Sequence, residues 1–301
     1  MTDTPQNVLW RRFKEKAIEN FFLTNGFFAV IILLGIFSLL FIEGFPAFRE
    51  LGLKEFFLSA HWDPTSPERE SYGILAMVVS TLMVTLGAMV IAVPVGIACA
   101  AYIADVASPR MREIVKPVIE ILAGIPSVVV GFLGIIVVGP LIAKIFGISN
   151  GLNAINGSVL LAIMSLPTII SISEDAIVSV PQEFKNASLA LGANRWQTLI
   201  RVTIPSAMSG IIASVMLGMG RAIGETMTVL MACGNAPALP RAFTDPVRTM
   251  TATIAIELGE TVQGGLHYRS LFVIAFVLFL MTFLVNLVSD IVLHKYQKVQ
   301  Q

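Results

Sequence analysis

Charge is scarce in this chain. Asp, Glu, Lys and Arg make up only 13% of its 301 residues, where a soluble domain carries about a quarter. The charge that exists is balanced, with 20 basic and 20 acidic residues, so net charge points to no nucleic-acid or other polyelectrolyte partner. Cysteine is almost absent. Cys99 and Cys233 both lie in or at the end of apolar segments, which supports neither a disulfide framework nor a metal site and reads as two packing residues. The three histidines, His61, His267 and His294, fall outside the apolar segments and are scattered along the sequence, so they predict no metal or catalytic set. A Gly-x4-Gly-Lys-Ser/Thr phosphate loop is missing, so the chain has no nucleotide-binding motif of its own. No Ser/His/Asp, His-Glu-x-x-His or paired-Asp arrangement occurs at membrane depth, which weighs against an intramembrane enzyme, and no cofactor is implied. There is also no convincing internal repeat, against the inverted-repeat transporter folds. What is abundant is apolar: 55% of the residues, with a mean hydropathy of +0.81. This is a membrane protein.

Stretches of about 20 apolar residues occur over 22–42, 74–103, 117–143, 157–173, 207–233 and 271–293. The fold class expected is therefore all-α, a polytopic bundle of six transmembrane helices. The first stretch follows a polar, amphipathic lead and is too long for a signal-peptide core, so it reads as a retained helix. The span from residue 74 is longer than a bilayer needs, which tilt or a kink near Pro94 accommodates. Six spans put both termini on one side. The tails and loops of that side hold Arg11, Arg12, Lys14, Lys16, Arg110, Arg112, Lys116, Lys185, Arg195, Arg201, Lys295 and Lys298, against Arg49, Lys54, Arg69, Lys144, Arg241, Arg248 and Arg269 on the other. The imbalance predicts N-in and C-in. A polar loop of some 30 residues separates the first span from the others. It divides the chain into 1–72 (tail, accessory helix and outer loop), a five-helix core at 73–293, and a short tail at 294–301.

Between the fourth and fifth spans, residues 181–205 are too polar to cross a membrane and too patterned to be a slack linker. Pro181 suits a first helical turn, the run around Ala187, Leu189, Ala190 and Leu191 favours helix, and Gly192 is a natural left-handed stop. A second short helix can run from Asn194 to about Arg201, and Pro205 then sets the entry into the fifth span. The result is a knob with Leu189, Leu191, Trp196 and Leu199 as apolar anchors among Lys185, Arg195 and Arg201. Such a segment docks a partner or lies on anionic lipid.

The spacing Asn186-Ala187-Ser188, three residues, Gly192, nine residues, then Val202-Thr-Ile-Pro205 resembles the EAA loop of ABC-importer permeases, whose pattern is E-A-A-x3-G-x9-I-x-L-P. In that family the loop is the coupling helix that enters a groove of the ATP-hydrolysing subunit, which implies coupling roles for Asn186, Ala187, Ser188, Gly192 and Pro205. Asn186 and Ser188 depart from the Glu and the last Ala of the pattern, so its acidic contact is missing. Four further segments, starting at Glu120, Leu166, Gly220 and Asp245, resemble the PstC type of permease in phosphate-specific importers. The resemblance spans roughly residues 73–286. It implies a type I ABC-importer permease fold in the bacterial inner membrane and a role in phosphate uptake. It also implies a PstA-like second permease, a PstB-like ATPase dimer and a PstS-like periplasmic phosphate-binding protein as partners.

Arg221 and Glu225 fall well inside the fifth span, where an ionised group costs about 2.5–3.5 kcal/mol on insertion scales. At i and i+4 on one helix they can pair with each other, as a structural lock of helix register. Alternatively Arg221 gives a bidentate donor to phosphate on the translocation path, with Glu225 orienting it and Thr226 beside it. Gly124, Pro126 and Ser127, and Ser165, Pro167, Thr168 and Ser171, interrupt apolar helices, as pore-lining positions or as ordinary kinks. Glu120, Glu174 and Asp175, at span ends, read as a solvated face. The outward stretch 235–267, rich in proline and with an apolar segment too short to span, is expected to face a soluble binding protein. The competing class is an ion-coupled secondary transporter of anions, on which residues 181–205 have no role.

Overall fold

The computed structural model describes residues 5–67 and 70–297, with side chains over 14–67 and 70–291. Of the charges counted above, Arg69 and Lys298 lie outside the described residues, and the side chains of Arg11, Arg12 and Lys295 are not described. The tail at 294–301 is described only to residue 297.

The first helix, α1 (Pro5–Leu51), reaches well beyond the 22–42 stretch. At 1.5 Å per residue its 47 residues run to about 70 Å, more than twice the hydrocarbon thickness. None of its most apolar window is buried, and it meets the rest of the chain mainly through α12 (Leu266–Gln297). The rings of Phe37 and Phe41 lie tilted against that of Phe276 at centroid distances of 5.5 and 6.0 Å. A short helix α2 (Leu53–Leu58) and an antiparallel hairpin of two-residue strands, β1 (Trp62–Asp63) with β2 (Ser71–Tyr72), build the loop that follows.

The core begins with α3 (Leu75–Val106), which holds Pro94 inside it and ends in a widened turn at 102–106. Next comes α4 (Pro109–Ala123), then α5 (Ser127–Phe146) and α6 (Ala154–Val178). The remaining elements are α7 (Gln182–Ala190), α8 (Arg195–Ser206), α9 (Met208–Gly224), α10 (Met227–Ala232), α11 (Met250–Glu257) and α12. The most extensive packing joins α3 to α6, and α9 to α6. Small residues permit it: a Cβ on Gly96 of α3 or Gly218 of α9 would lie 2.6 and 2.8 Å from side-chain carbons of Ile169 on α6. In a bilayer, where apolar surface alone does not drive helices together, such close approach supplies the packing.

Two span boundaries differ from the hydropathy reading. The third crossing is 127–146, not 117–143. Residues 109–123 form the separate α4, started by the Ser108 side chain accepting from Met111 N and by Pro109 in the first turn. This helix interleaves Arg110, Arg112 and Lys116 with exposed Met111, Ile114, Val118 and Ile121, and it ends at Gly124 before Pro126. A window of 20 residues blends its last turns with α5. The fifth crossing is not one helix over 207–233 but two, α9 and α10, separated at Glu225–Thr226.

The end of the bundle that carries 107–116 and 179–207 is the basic end. There Arg112 and Lys116 of α4 reach Glu174 of α6 at 3.3 and 2.8 Å, and Lys116 also lies 3.5 Å from Asp175. Glu174 is only 4% exposed. It is a buried anchor, not part of a solvated face, because folding α4 back against α6 covers it with two cations. The hydrogen bond to Glu174 raises the Lys116 pKa above its ordinary value.

Candidate functional site

Residues 181–205 form the helix–glycine–helix expected. Gly192 has φ +86°, the left-handed value that a Cβ disfavours. Asn194 is the N-cap of α8, not its first residue: its side chain accepts from Gln197 N while Gln197 Oε1 accepts from Asn194 N, a reciprocal capping box. Ser188 and Thr198 hydroxyls meet at 3.0 Å and close the two helices on each other. Lys185 binds Asp105 at the end of α3 at 2.7 Å. Leu191, Trp196, Phe184 and Leu189 are exposed, as are Asn186, Ala187 and Gly192. Leu199 departs from the expectation: it is 4% exposed and packs in the core with Ile177 and Ile211, since the wide turn at 199–203 rotates it inward. Pro205 sits just before a 69° bend between α8 and α9.

Beyond the bend, α9 runs from this knob into the interior of the bundle. Arg221 lies in its last turn and is exposed, where the helix C-terminal carbonyls favour a cation. The helix stops at Gly224 with Glu225 as its cap residue, and the i, i+4 pair expected of Arg221 and Glu225 does not form. Glu225 is extended (φ −68°, ψ 131°), and no ion pair joins the two residues among the described side chains. The Glu225 carboxylate turns the other way. Its Oε1 accepts from Thr226 N at 3.2 Å and from Thr228 N at 3.3 Å, holding the start of α10. A carboxylate at a helix N-terminus is favourable there. Backbone groups freed by the break find hydroxyls: Thr226 Oγ1 donates to Gly224 O at 3.3 Å and Thr251 Oγ1 to Glu225 O at 2.9 Å. Thr228 Oγ1 meets Ser127 O, where α5 begins, and Met164 Sδ. Ser165 Oγ donates to Gly218 O. Met164 and Ser165 are near the middle of the 25-residue α6, so the break lies at mid-depth, as does the start of α5 after Pro126. Ser165 and Pro167 are themselves buried, which makes them packing residues of α6.

At the opposite end, the loop after α10 turns through Gly234 and Asn235, both with positive φ. Arg241 N and Ala242 N donate to Asp245 Oδ2 and lower its pKa. Asp245 O and Phe243 O accept from Ala154 N and Ile155 N, capping α6. Then α11 enters the bundle with its first residues, Met250–Thr253, buried. Glu257, at its outer end, is met by Arg248 at 2.8 Å, His267 at 2.8 Å and the Trp62 indole at 3.0 Å. Sequence reading missed this cluster, because Trp62 is 195 positions from Glu257. It also treated His61 and His267 as unrelated, whereas both line one cavity of 710 Å³. Among the described residues no group of His, Cys, Asp and Glu is arranged to hold a metal.

An exposed helix–glycine–helix, a 69° bend into α9 and a broken crossing at mid-depth therefore follow one another along the chain. The family described as "Binding-protein-dependent transport system inner membrane component" matches residues 92–298. The chain belongs to this family. As such a permease it is a transport subunit of an ABC importer, seated in the inner membrane. Among its relatives, the probable ABC transporter permease protein YqgH of Bacillus subtilis is 38% identical over 258 residues, covering 85% of this chain and 81% of the relative. The phosphate transport system permease protein PstC of Mesorhizobium japonicum is 33% identical over 304 residues and 91% of each chain. In fold, the chain is similar to a bacterial alginate ABC transporter solved with its alginate-bound periplasmic protein (TM-score 0.62, 16% identity, 97% of this chain and 98% of that one). The MetNI methionine transporter is a second fold neighbour (TM-score 0.55, 19% identity, 74% of this chain and 94% of that one).

Proposed function

We propose that this permease imports inorganic phosphate, driven by ATP hydrolysis in a separate subunit, with both termini cytoplasmic. The observation that carries the reading is Arg221: a guanidinium exposed at mid-depth, beside a helix break, with no carboxylate partner among the described residues. Facing lipid there is costly for a cation, so this side of the bundle is covered in the working complex by a polar path. A phosphate ion must exchange its water for donors of similar strength, and a guanidinium fork gives two charge-assisted bonds at once. Glu225 keeps the break open by capping α10, and Thr226 offers a hydroxyl at the same level. Support for phosphate as the cargo comes from the PstC relatives.

The partners on this reading are a PstA-like second permease across the Arg221 face, a PstB-like ATPase dimer against residues 181–205, and a PstS-like binding protein outside. Residues 1–72 form an accessory module, 73–293 the transport core and 294–301 a tail. When the ATPase closes, the knob moves, the 69° bend passes the motion to α9, and Arg221 is exposed to alternate sides. An ion-coupled carrier leaves the exposed, capped knob without a task. Reconstituted uptake of phosphate is expected to need ATP and every added subunit; uptake by this chain alone, driven by an ion gradient, overturns the proposal.

A further inference from the structure

We infer that α11 is a rod that transmits events at the outer face to the helix break at mid-depth, with Glu257 and Thr251 as positioning residues at its two ends. The inference rests on reading the break as part of the transport path, and it adds how that path is governed from outside.

The argument begins at the outer end. Glu257 closes α11 and is held from three parts of the chain: Trp62 of the hairpin between α1 and α3, Arg248 just before α11, and His267 at the start of α12. Both carboxylate oxygens are used, and the side chain is 13% exposed. A carboxylate with charged and indole donors on both oxygens is fixed in direction, so a shift of the hairpin or of α12 displaces the end of α11. The cavity beside it is lined by His61, Arg248, Glu260 and others, of which His61 and Glu260 are exposed.

At the inner end the contacts are as specific. Thr251 Oγ1 donates to Glu225 O and lies 3.0 Å from Thr249 Oγ1. Thr249 Oγ1 accepts from Ala252 N, and Thr81 Oγ1 of α3 accepts from Met250 N. Glu225 O is one of the groups freed by the break, so Thr251 helps decide whether Glu225 stays extended. Between the two ends lies a single helix of eight residues, about 12 Å long, and a helix of that length moves as one body. The pattern links an exposed surface, a rigid element and a backbone discontinuity in series.

The test uses the complete reconstituted complex with its ATPase and binding protein, in variants Glu257→Gln, Thr251→Val, Thr251→Ser and Glu257→Gln with Thr251→Val. Maximal phosphate uptake, binding-protein-stimulated ATP hydrolysis and the binding-protein concentration giving half-maximal stimulation are measured. Glu257→Gln and Thr251→Val are each expected to lower both maxima about tenfold with the half-maximal concentration within about twofold, and the double variant to fall no further than the worse single. Thr251→Ser, which keeps the hydroxyl, is expected to retain at least about half of the maxima. A raised half-maximal concentration with normal maxima makes Glu257 a docking residue only and overturns the inference. So does a double variant whose loss is the product of the singles, or a Thr251→Ser that fails like valine. If Glu257→Gln does not assemble, the comparison of the near-isosteric Thr251→Val with Thr251→Ser decides the matter. Stimulated hydrolysis reads the rod whether or not phosphate passes Arg221, so failure of the path assignment is distinguished from failure of the rod.

Discussion

Arg221 sits in the last turn of α9 with its charge unmatched by any described carboxylate, while Glu225, four residues on, spends its carboxylate on the start of α10. That arrangement separates what a structural ion pair and a transport residue do on mutation. Lysine at position 221 keeps the charge and loses the planar fork. Arg221→Lys is therefore expected to lower phosphate uptake about tenfold to a hundredfold, the range of one or two charged hydrogen bonds, while the complex still assembles. In the double variant Arg221→Met with Glu225→Gln, the two residues act at different places, so uptake is expected to stay as low as in the worse single variant or lower. Near-normal uptake in the double variant would mean that the two charges only compensate each other, and would remove Arg221 from the path.

Among the elements, the α7–α8 unit depends on one backbone conformation. Gly192 has φ +86° and open space around its α-carbon, so a substitution there is opposed by backbone strain and not by a clash. Gly192→Val places a β-branched residue in the left-handed region at a local cost of about 1–2 kcal/mol. The capping box at Asn194 and the Ser188–Thr198 contact then lose the geometry that joins the two helices. The chain is expected to insert normally, with ATPase association in pull-down and ATP-driven uptake both reduced. Normal association and normal uptake in this variant would exclude residues 181–205 as the coupling site. Within the same element, the 2.7 Å ion pair of Lys185 with Asp105 ties the knob to the end of α3.

For the molecule as a whole, sidedness is the property on which every partner assignment rests. The 234–249 loop caps α6 and presents Arg241, Ala242 and Phe243 to solvent at the end opposite the basic one. A cysteine at Ala242, in a background lacking Cys99 and Cys233, is expected to react with a membrane-impermeant thiol reagent from the periplasmic side of intact cells. Added binding protein is expected to slow that reaction. Labelling confined to inside-out vesicles would reverse the orientation and, with it, the placing of the ATPase and the binding protein.

Class and composition of the bundle were legible from the sequence because hydropathy, proline and glycine act locally. The apolar stretches, the first helix among them, and the helix–glycine–helix at 181–205 each depend on residues near one another in the chain. The resemblance of the 186–205 spacing to the coupling loop likewise survives without a fold. Tertiary structure decided the rest, because the deciding contacts join residues far apart. A single apolar window cannot show that α9 ends at Gly224, since the break is held by Thr251 on α11 and by the contact of Thr228 with Ser127 and Met164. It cannot show that α4 is a separate helix whose Arg112 and Lys116 bury Glu174. Nor does it reveal that Glu257 gathers Trp62, Arg248 and His267 into one cluster. Burial of a charge and interruption of a helix are stable only when partners arrive from other elements, and the folded chain alone brings them there.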